Sequence, residues 1–469
     1  MLRMTSLDAG MLYAETPEMP MHTMGVVILE PSPDESLFEV MRHRLEERIH
    51  LLAPLRRRIV HGPLELGDPH WLEDPAFELD NHLRRAAIPS PGGMRELAEF
   101  VGDYAGRVLE RSKPLWEMVL VEGIEDGKIA VVAKVHHAAM DGGQAVALFL
   151  GTLFDPTREG RELPSLGEAW IPDREPTLGW FAADTARTFA ERPLRALRAI
   201  GEVATSMRQS APARRDRRGD SGDLFEAPAT RFNGALTPHR SVAFADVAFD
   251  DVKTIKRAFD TTINDVVLAA SCGALRSWLI SHGGLPERPL VVSVPVAVRG
   301  ESDGDAGNRV SMVLVHLPVQ LRDPIDQIMA IRAETRRAKA EHRQAGGDVF
   351  QQLAGVLTNI TVPWLLTHAM DLYSSSHVAD RLPSPWNLVV SNLPGPPSPL
   401  YCGAAKAVRV YPLGPVQHGS GLNLTVLSAM GRLCLGAMAC KEMVPALEDV
   451  ATGFVEATEE LKRLAEKRR

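Results

Sequence analysis

Two adjacent histidines close an apolar run, and an aspartate and two glycines follow: Val135-His136-His137-Ala138-Ala139-Met140-Asp141-Gly142-Gly143. Imidazole titrates near neutral pH, so it can take a proton from a hydroxyl and later return it. No serine or cysteine stands beside the pair in a recognisable nucleophile setting. The chemistry this suggests is a general base acting directly on a substrate hydroxyl, not a covalent triad. A metal site is the competing reading. In an extended strand, however, successive side chains point to opposite faces, so both imidazoles cannot close on one ion, and no further ligands cluster nearby. We therefore expect no metal. The blandest reading is a structural histidine pair in a strand. Asp141 can orient a histidine, or it can turn away and pair with an arginine, with Arg299 as a candidate, to hold the loop. Gly142-Gly143 favours a tight turn and with it the structural role.

The residues around the pair read as strand, turn and helix. Segments 116–122 and 128–136 are rich in β-formers and flank Glu125-Asp126-Gly127, a hairpin signal. Residues 144–154 are short, apolar and rich in Ala and Leu, which predicts a helix. The histidines then sit at a strand end. Earlier, 24–29 predicts a strand and 35–50 an amphipathic helix. Later strands are expected at 240–245, 290–298, 310–317, 387–393, 407–411, 422–427 and 433–438. A buried helix is expected at 263–279 and a closing helix at 447–466. Strands and helices mixed in both halves predict two α/β domains with mixed sheets, at 1–205 and 236–469. Between them, 206–235 is a polar linker; its stretch Ser210 to Asp223 is rich in Arg, Asp, Gly and Ser and buries little apolar surface.

Composition narrows the partners. The 469 residues carry 52 Lys and Arg against 60 Asp and Glu, a net charge of -8, which argues against nucleic acid as a partner. The four cysteines (Cys272, Cys402, Cys434, Cys440) show no C-x-x-C spacing, so neither a disulfide framework nor a zinc knuckle is expected, and a cytoplasmic location fits. The first residues do not read as a signal peptide, and no apolar run reaches the roughly 18 residues of a membrane span. Contact with a bilayer surface remains open.

The histidine motif resembles the HHxxxDG signature of CoA-dependent acyltransferases, which include chloramphenicol acetyltransferase-like enzymes and peptide-synthetase condensation domains. Other segments are similar to one branch of that superfamily, the bacterial wax ester synthase/acyl-CoA:diacylglycerol acyltransferase family. They are Ser6-Leu7-Asp8-Ala9 through Glu15-Thr16-Pro17 to Met21-His22, then Pro114-Leu115-Trp116-Glu117 and Asn264-Asp265-Val266-Val267-Leu268-Ala269. Val294-Pro295-Val296 with Arg299, Gly307-Asn308-Arg309-Val310-Ser311, and Ser391-Asn392-Leu393-Pro394-Gly395-Pro396 complete the set. The resemblance implies two chloramphenicol acetyltransferase-like domains with an active-site tunnel between them. It implies His137 as general base, with His136 supporting it or packing. The donor would be acyl-CoA, as substrate and not cofactor, with no metal or organic cofactor. The acceptor would be diacylglycerol or a long-chain alcohol, and the product a triacylglycerol or a wax ester.

Each further motif has an ordinary explanation beside the functional one. Trp116 can anchor a core or touch substrate. Asn264-Asp265 can cap the following helix, which we favour, or Asn264 can face the cleft. Asn392 can donate to a developing oxyanion or simply belong to a turn; Gly142 is a third candidate substrate contact. Residues 177–200 form a basic amphipathic helix suited to a membrane or lipid-droplet surface, or to packing on its own domain with arginines in solvent. Residues 353–372 can line an acyl tunnel, touch lipid or fill a core. Two other functions fit the fold: a condensation-type enzyme using carrier-protein thioesters, and a lipid-binding protein without catalysis.

Overall fold

The computed structural model describes residues 1–140, 142–158, 171–215, 227–297, 310–345 and 361–468. Two six-stranded mixed sheets dominate it. The first runs β12 (Tyr401–Cys402), β13 (Ala405–Leu413), β2 (His22–Glu30), β7 (Ile129–His136), β6 (Trp116–Glu122) and β5 (Leu83–Ala87). Only β5 and β6 pair in parallel. The second runs β10 (Val310–Leu317), β9 (Leu290–Ala297), β11 (Leu388–Pro394), β14 (Leu422–Ala429), β15 (Arg432–Cys440) and β8 (Arg240–Ala248). A small sheet of β1 (Leu2–Arg3), β4 (His70–Glu73) and β3 (Arg57–Val60) lies apart from these.

Burial explains the strand sequences. Strand β7 reads I-A-V-V-A-K-V-H with almost every residue buried, because it is covered on both faces inside its sheet. Strand β9 carries Pro295, whose ring nitrogen has no hydrogen to donate. Its parallel pairing with β11 ends at Ser293, before the proline. The predicted hairpin between β6 and β7 closes through Glu125–Gly127, with Asp126 at φ 61° and Gly127 at φ 66°.

The second half of the chain reaches into the first sheet. Strand β13 pairs along β2 from Lys406 opposite Glu30 to Leu413 opposite Met24, with a bulge between Ala407 and Arg409. One core cluster accordingly mixes Val27, Val131 and Val135 with Val410, Leu427 and Ala429. The second half also has its own core around α8 (Ile263–His282), β9, β14 and the closing helix α11 (Leu447–Lys467).

Among the described residues α8 alone is long and apolar enough to cross a membrane, and most of it is buried in that core. Of the expected Asn264-Asp265 pair, Asp265 takes part in its cap, and the cap residue itself is Thr262. Thr262 accepts the Asp265 amide, and Asp265 returns the bond to the Thr262 amide at 2.8 Å, a capping box two residues earlier than Asn264. The helix α6 (Leu178–Arg215) meets both the first half and the helix Pro324–Ala345 of the second, and its arginines divide: Arg187 and Arg198 are exposed, Arg192 and Arg195 are tied down. Arg192 donates to the Leu66 carbonyl at 3.1 Å and Arg195 to Asp68 at 3.0 Å, while Phe189, Leu194 and Leu197 are exposed.

Candidate active site

The histidine pair sits where β7 ends, and its backbone is held at each step. The His136 amide donates to the Leu115 carbonyl at 2.9 Å, so the Pro114-Leu115-Trp116 segment lies directly beside it. The His137 amide donates to the Met21 carbonyl at 2.7 Å, and the Ala139 amide closes the turn on the His136 carbonyl at 2.9 Å. His136, the last residue of the strand, is fully buried, and His137, the first of the turn, is half-buried. Among the described residues no group of three or more His, Cys, Asp or Glu could hold a metal ion.

His136 is surrounded by charge that the sequence does not bring together. The Ala138 amide donates to His136 Nδ1 at 3.0 Å. An amide can only donate, so Nδ1 is the acceptor and the ring's proton sits on Nε2. That nitrogen faces Glu15, whose Oε1 lies 3.3 Å away. His22, opposite His136 in the β2–β7 register, places its own Nε2 3.3 Å from the same oxygen. The rings meet edge to face at 5.9 Å. Glu15 Oε1 also accepts the Met21 amide at 3.2 Å, and Oε2 takes Arg111 at 3.0 Å. Burial pushes the Glu15 carboxyl up, but the pull of His136 and His22 outweighs it and holds it well below the usual carboxylate range. Burial also drives the His22 imidazole down to about 4, against the raising pull of Glu15. Glu15 and His22 are in the opening segment that resembles the family, yet no spacing rule joins them to His136.

The same polar face continues at Lys134. Its Nζ is buried, donates to the Arg107 carbonyl at 2.9 Å and the Tyr104 carbonyl at 3.2 Å, and lies 3.9 Å from the Tyr104 ring centre. Burial lowers its pKa to about 8.

The opposite face of β2 and β7 is apolar and holds a pocket. Its lining includes Thr23, Gly25, Ala133 and Val135 from the strands, and Ala145 and Phe149 from α5 (Gly142–Leu153). Gly25 stands opposite Ala133, and a methyl group built at Gly25 would meet nothing within 4 Å. The pocket exists because these paired positions are small. At its polar end the Thr23 hydroxyl is buried without a hydrogen-bond partner. The far end of α5 is pinned by Asp155, which binds Arg44 at 2.6 Å and Arg48 at 3.1 Å.

The remaining predicted residues are scattered. Asp141 and Arg299 lie outside the described residues, as do 307–309 and the first part of 353–372. Gly142 is the first residue of α5, where a methyl group would touch Thr23 at an ordinary 3.5 Å. Asn264 is half-buried in the first turn of α8. Asn392 is half-buried on β11, opposite Val426 and on the strand face that carries Leu388 and Val390. Trp116 is core: its indole donates to the Leu55 carbonyl at 2.7 Å and stacks on His82 at 4.5 Å.

One unanticipated cluster looks like a triad and is not. His418 Nε2 lies 3.0 Å from the Ser374 hydroxyl, and Glu18 accepts from Ser374 at 2.8 Å. The Leu236 amide donates to His418 Nδ1, so Nε2 carries the ring's proton and the serine proton points away, toward Glu18. The cluster ties the turn after Glu15 to the helix α10 (Pro363–Ser375).

Comparison with known proteins decides the family. The model of the wax ester synthase/diacylglycerol acyltransferase catalytic domain matches residues 4–267, and that of the family's C-terminal domain matches 306–462. This chain belongs to the wax ester synthase/diacylglycerol acyltransferase family. A Mycobacterium tuberculosis relative bearing a diacylglycerol O-acyltransferase name is 35% identical over 472 residues, covering 98% of this chain and 90% of its own. The O-acyltransferase WSD of Acinetobacter baylyi is 29% identical, covering 96% of this chain and 94% of its own. The solved wax ester synthase/diacylglycerol acyltransferase from Marinobacter aquaeolei VT8 superimposes with a TM-score of 0.69 at 24% identity, over 99% of this chain and 100% of that one. The first condensation domain of the calcium-dependent antibiotic synthetase shares the fold, with a TM-score of 0.55 at 16% identity over 99% and 96% of the two chains. Family membership makes the chain an O-acyltransferase of the chloramphenicol acetyltransferase-like fold, as its histidine motif implies.

Proposed function

We propose that this acyltransferase moves a long-chain acyl group from acyl-CoA to the hydroxyl of diacylglycerol, with long-chain alcohols as further acceptors. His137 removes the acceptor's proton as its oxygen attacks the thioester carbonyl. The new C–O bond makes a tetrahedral oxyanion. Its collapse breaks the C–S bond, and the imidazolium returns the proton to the departing CoA thiolate. General base action of this kind contributes about 10²- to 10⁴-fold, and holding both substrates in register supplies much of the rest. Asn392, Asn264 and Gly142 remain the candidate contacts to the substrates. Asp141 is assigned to holding the loop.

The observation that carries this reading is the placement of His137. Its half-buried ring follows a strand whose last residues, with Thr23 opposite, line an apolar pocket suited to an alkyl chain. No metal or organic cofactor enters the scheme. The acceptor is insoluble in water, so we assign the exposed Phe189, Leu194 and Leu197 of α6 and Trp364, Leu365 and Leu372 of α10 to contact with a lipid surface. The likeness to a condensation domain keeps one alternative, a carrier-protein thioester as donor.

The experiment is a radiolabelled acyl-transfer assay of the purified chain. It offers palmitoyl-CoA or a palmitoylated carrier protein as donor, against diacylglycerol, hexadecanol and short alcohols, with products resolved by lipid class. Labelled triacylglycerol from the CoA donor is expected. Labelled product from the carrier donor alone would favour the condensation reading.

A further inference from the structure

Both peptide groups that flank His137 are held by hydrogen bonds, and both restraints lead back to one carboxylate. On one side the His137 amide is bound by the carbonyl of Met21, and the amide of that same residue is bound by Glu15. On the other side the Ala138 amide is bound by His136 Nδ1, and the far nitrogen of that ring faces Glu15. Glu15 is itself held from outside by Arg111, which also grips the Leu12 carbonyl at 3.0 Å at the end of the helix α1 (Ser6–Ala14). The carboxylate is therefore a fixed post, buried beneath the turn and apart from the apolar pocket on the other face of the strands.

We infer that Glu15 is a positioning residue for acyl transfer: acting through Met21 and His136, it fixes the backbone on both sides of His137 and so the reach of that ring. The inference rests on His137 being the base. Geometry of this kind matters because a misplacement of roughly 1 Å can cost about 10²-fold in rate. The carboxylate's charge matters too. It sits between an arginine and two ring nitrogens, and a neutral amide there sets an N–H against Arg111 or against His136 Nε2–H.

The test compares Glu15→Gln, Glu15→Asp and Asp246→Asn with the unaltered protein. Asp246 joins Arg409 at 2.9 Å, and also Arg432, on strands remote from the histidine turn, so its loss controls for a broken ion pair as such. For each variant, thermal unfolding and kcat and KM for palmitoyl-CoA and for diacylglycerol are measured on folded protein. Glu15→Gln should lower kcat by about 10- to 100-fold and leave both KM values within about twofold. Glu15→Asp keeps the charge but sets it one methylene short, and should fall between the two. Asp246→Asn should lower the unfolding temperature and leave kcat unchanged. Should Glu15→Gln not fold, Glu15→Asp carries the test. A folded Glu15 variant with normal kcat overturns the inference, as does a loss confined to KM or a kcat loss matched by Asp246→Asn. His137→Ala, run alongside, separates the two claims: if it stays active the base assignment fails, and if it is dead while the Glu15 variants are normal only the present inference fails.

Discussion

The two faces of the β2–β7 strand pair differ sharply in chemistry. On one, Glu15, His22, Lys134 and His136 are buried together, with Arg111 reaching in from the rim. On the other, Thr23, Gly25, Ala133 and Val135 leave an apolar hollow under α5. Residue alternation produces this split within a few residues of sequence. Buried charge is expensive to assemble and does not by itself stabilise a fold; here it holds a turn in one conformation. The apolar face does the opposite and leaves space unfilled where close packing is the rule. One face holds the backbone of the histidine turn, and the other leaves an apolar hollow along the strand that leads to it.

The largest effect expected from breaking this division is the kcat loss of Glu15→Gln on the charged face, and the next lies on the open face. Gly25→Leu fills the hollow and should lower kcat/KM for palmitoyl-CoA by about tenfold relative to a short acyl-CoA. Equal loss on both donors would show that the pocket does not hold the acyl chain. A smaller effect is expected at His22, also on the charged face. The His22 imidazole is held near 4 when folded, below its ordinary 6.5. Between those values the unfolded chain binds more protons, so this group's contribution is present above pH 6.5 and is lost as pH falls toward 4. The stability difference between the unaltered protein and His22→Gln should therefore narrow by up to about 3 kcal/mol on acidification from pH 6.5 to 4, read from urea unfolding at each pH. A difference independent of pH would remove His22 from the account. The smallest effect lies at the surface. Leu197→Ser with Trp364→Ser should weaken sedimentation with anionic vesicles by a few-fold, roughly 1 kcal/mol or more of lost apolar burial, and unchanged binding would place the lipid contact elsewhere.

How much of this was legible in the sequence depends on distance along the chain. Local patterns were clear. The β6–β7 hairpin, the helix after the histidines, and strands β8 to β11 fall close to their predicted bounds, because β-formers, turn residues and apolar runs act within a few residues. The α8 cap obeys a local rule as well: Asp265 of the expected Asn264-Asp265 pair closes the capping box, with Thr262 as the cap residue. Non-local facts were not legible. Strand β13 was predicted, but nothing in its residues says that it joins the first sheet and not the second. Helices such as α9 (Pro324–Ala345) give no clear apolar stripe in the sequence because charged residues interrupt it. The histidine motif was plain, whereas Glu15 is far from His136 in sequence and becomes meaningful only when β2 and β7 are paired. Of the α6 arginines, Arg187 and Arg198 face solvent as the pattern predicts, whereas Asp68 takes Arg195 and the Leu66 carbonyl takes Arg192, partners far off in sequence.

The central claim concerns one ring. Free CoA thiol released from palmitoyl-CoA in the presence of diacylglycerol, followed for the unaltered protein and for His137→Ala at equal folded concentration, tests it most directly. The account predicts steady release by the former and release about 10²- to 10⁴-fold slower by the latter, with matching unfolding temperatures. Release by His137→Ala at near the original rate would contradict it.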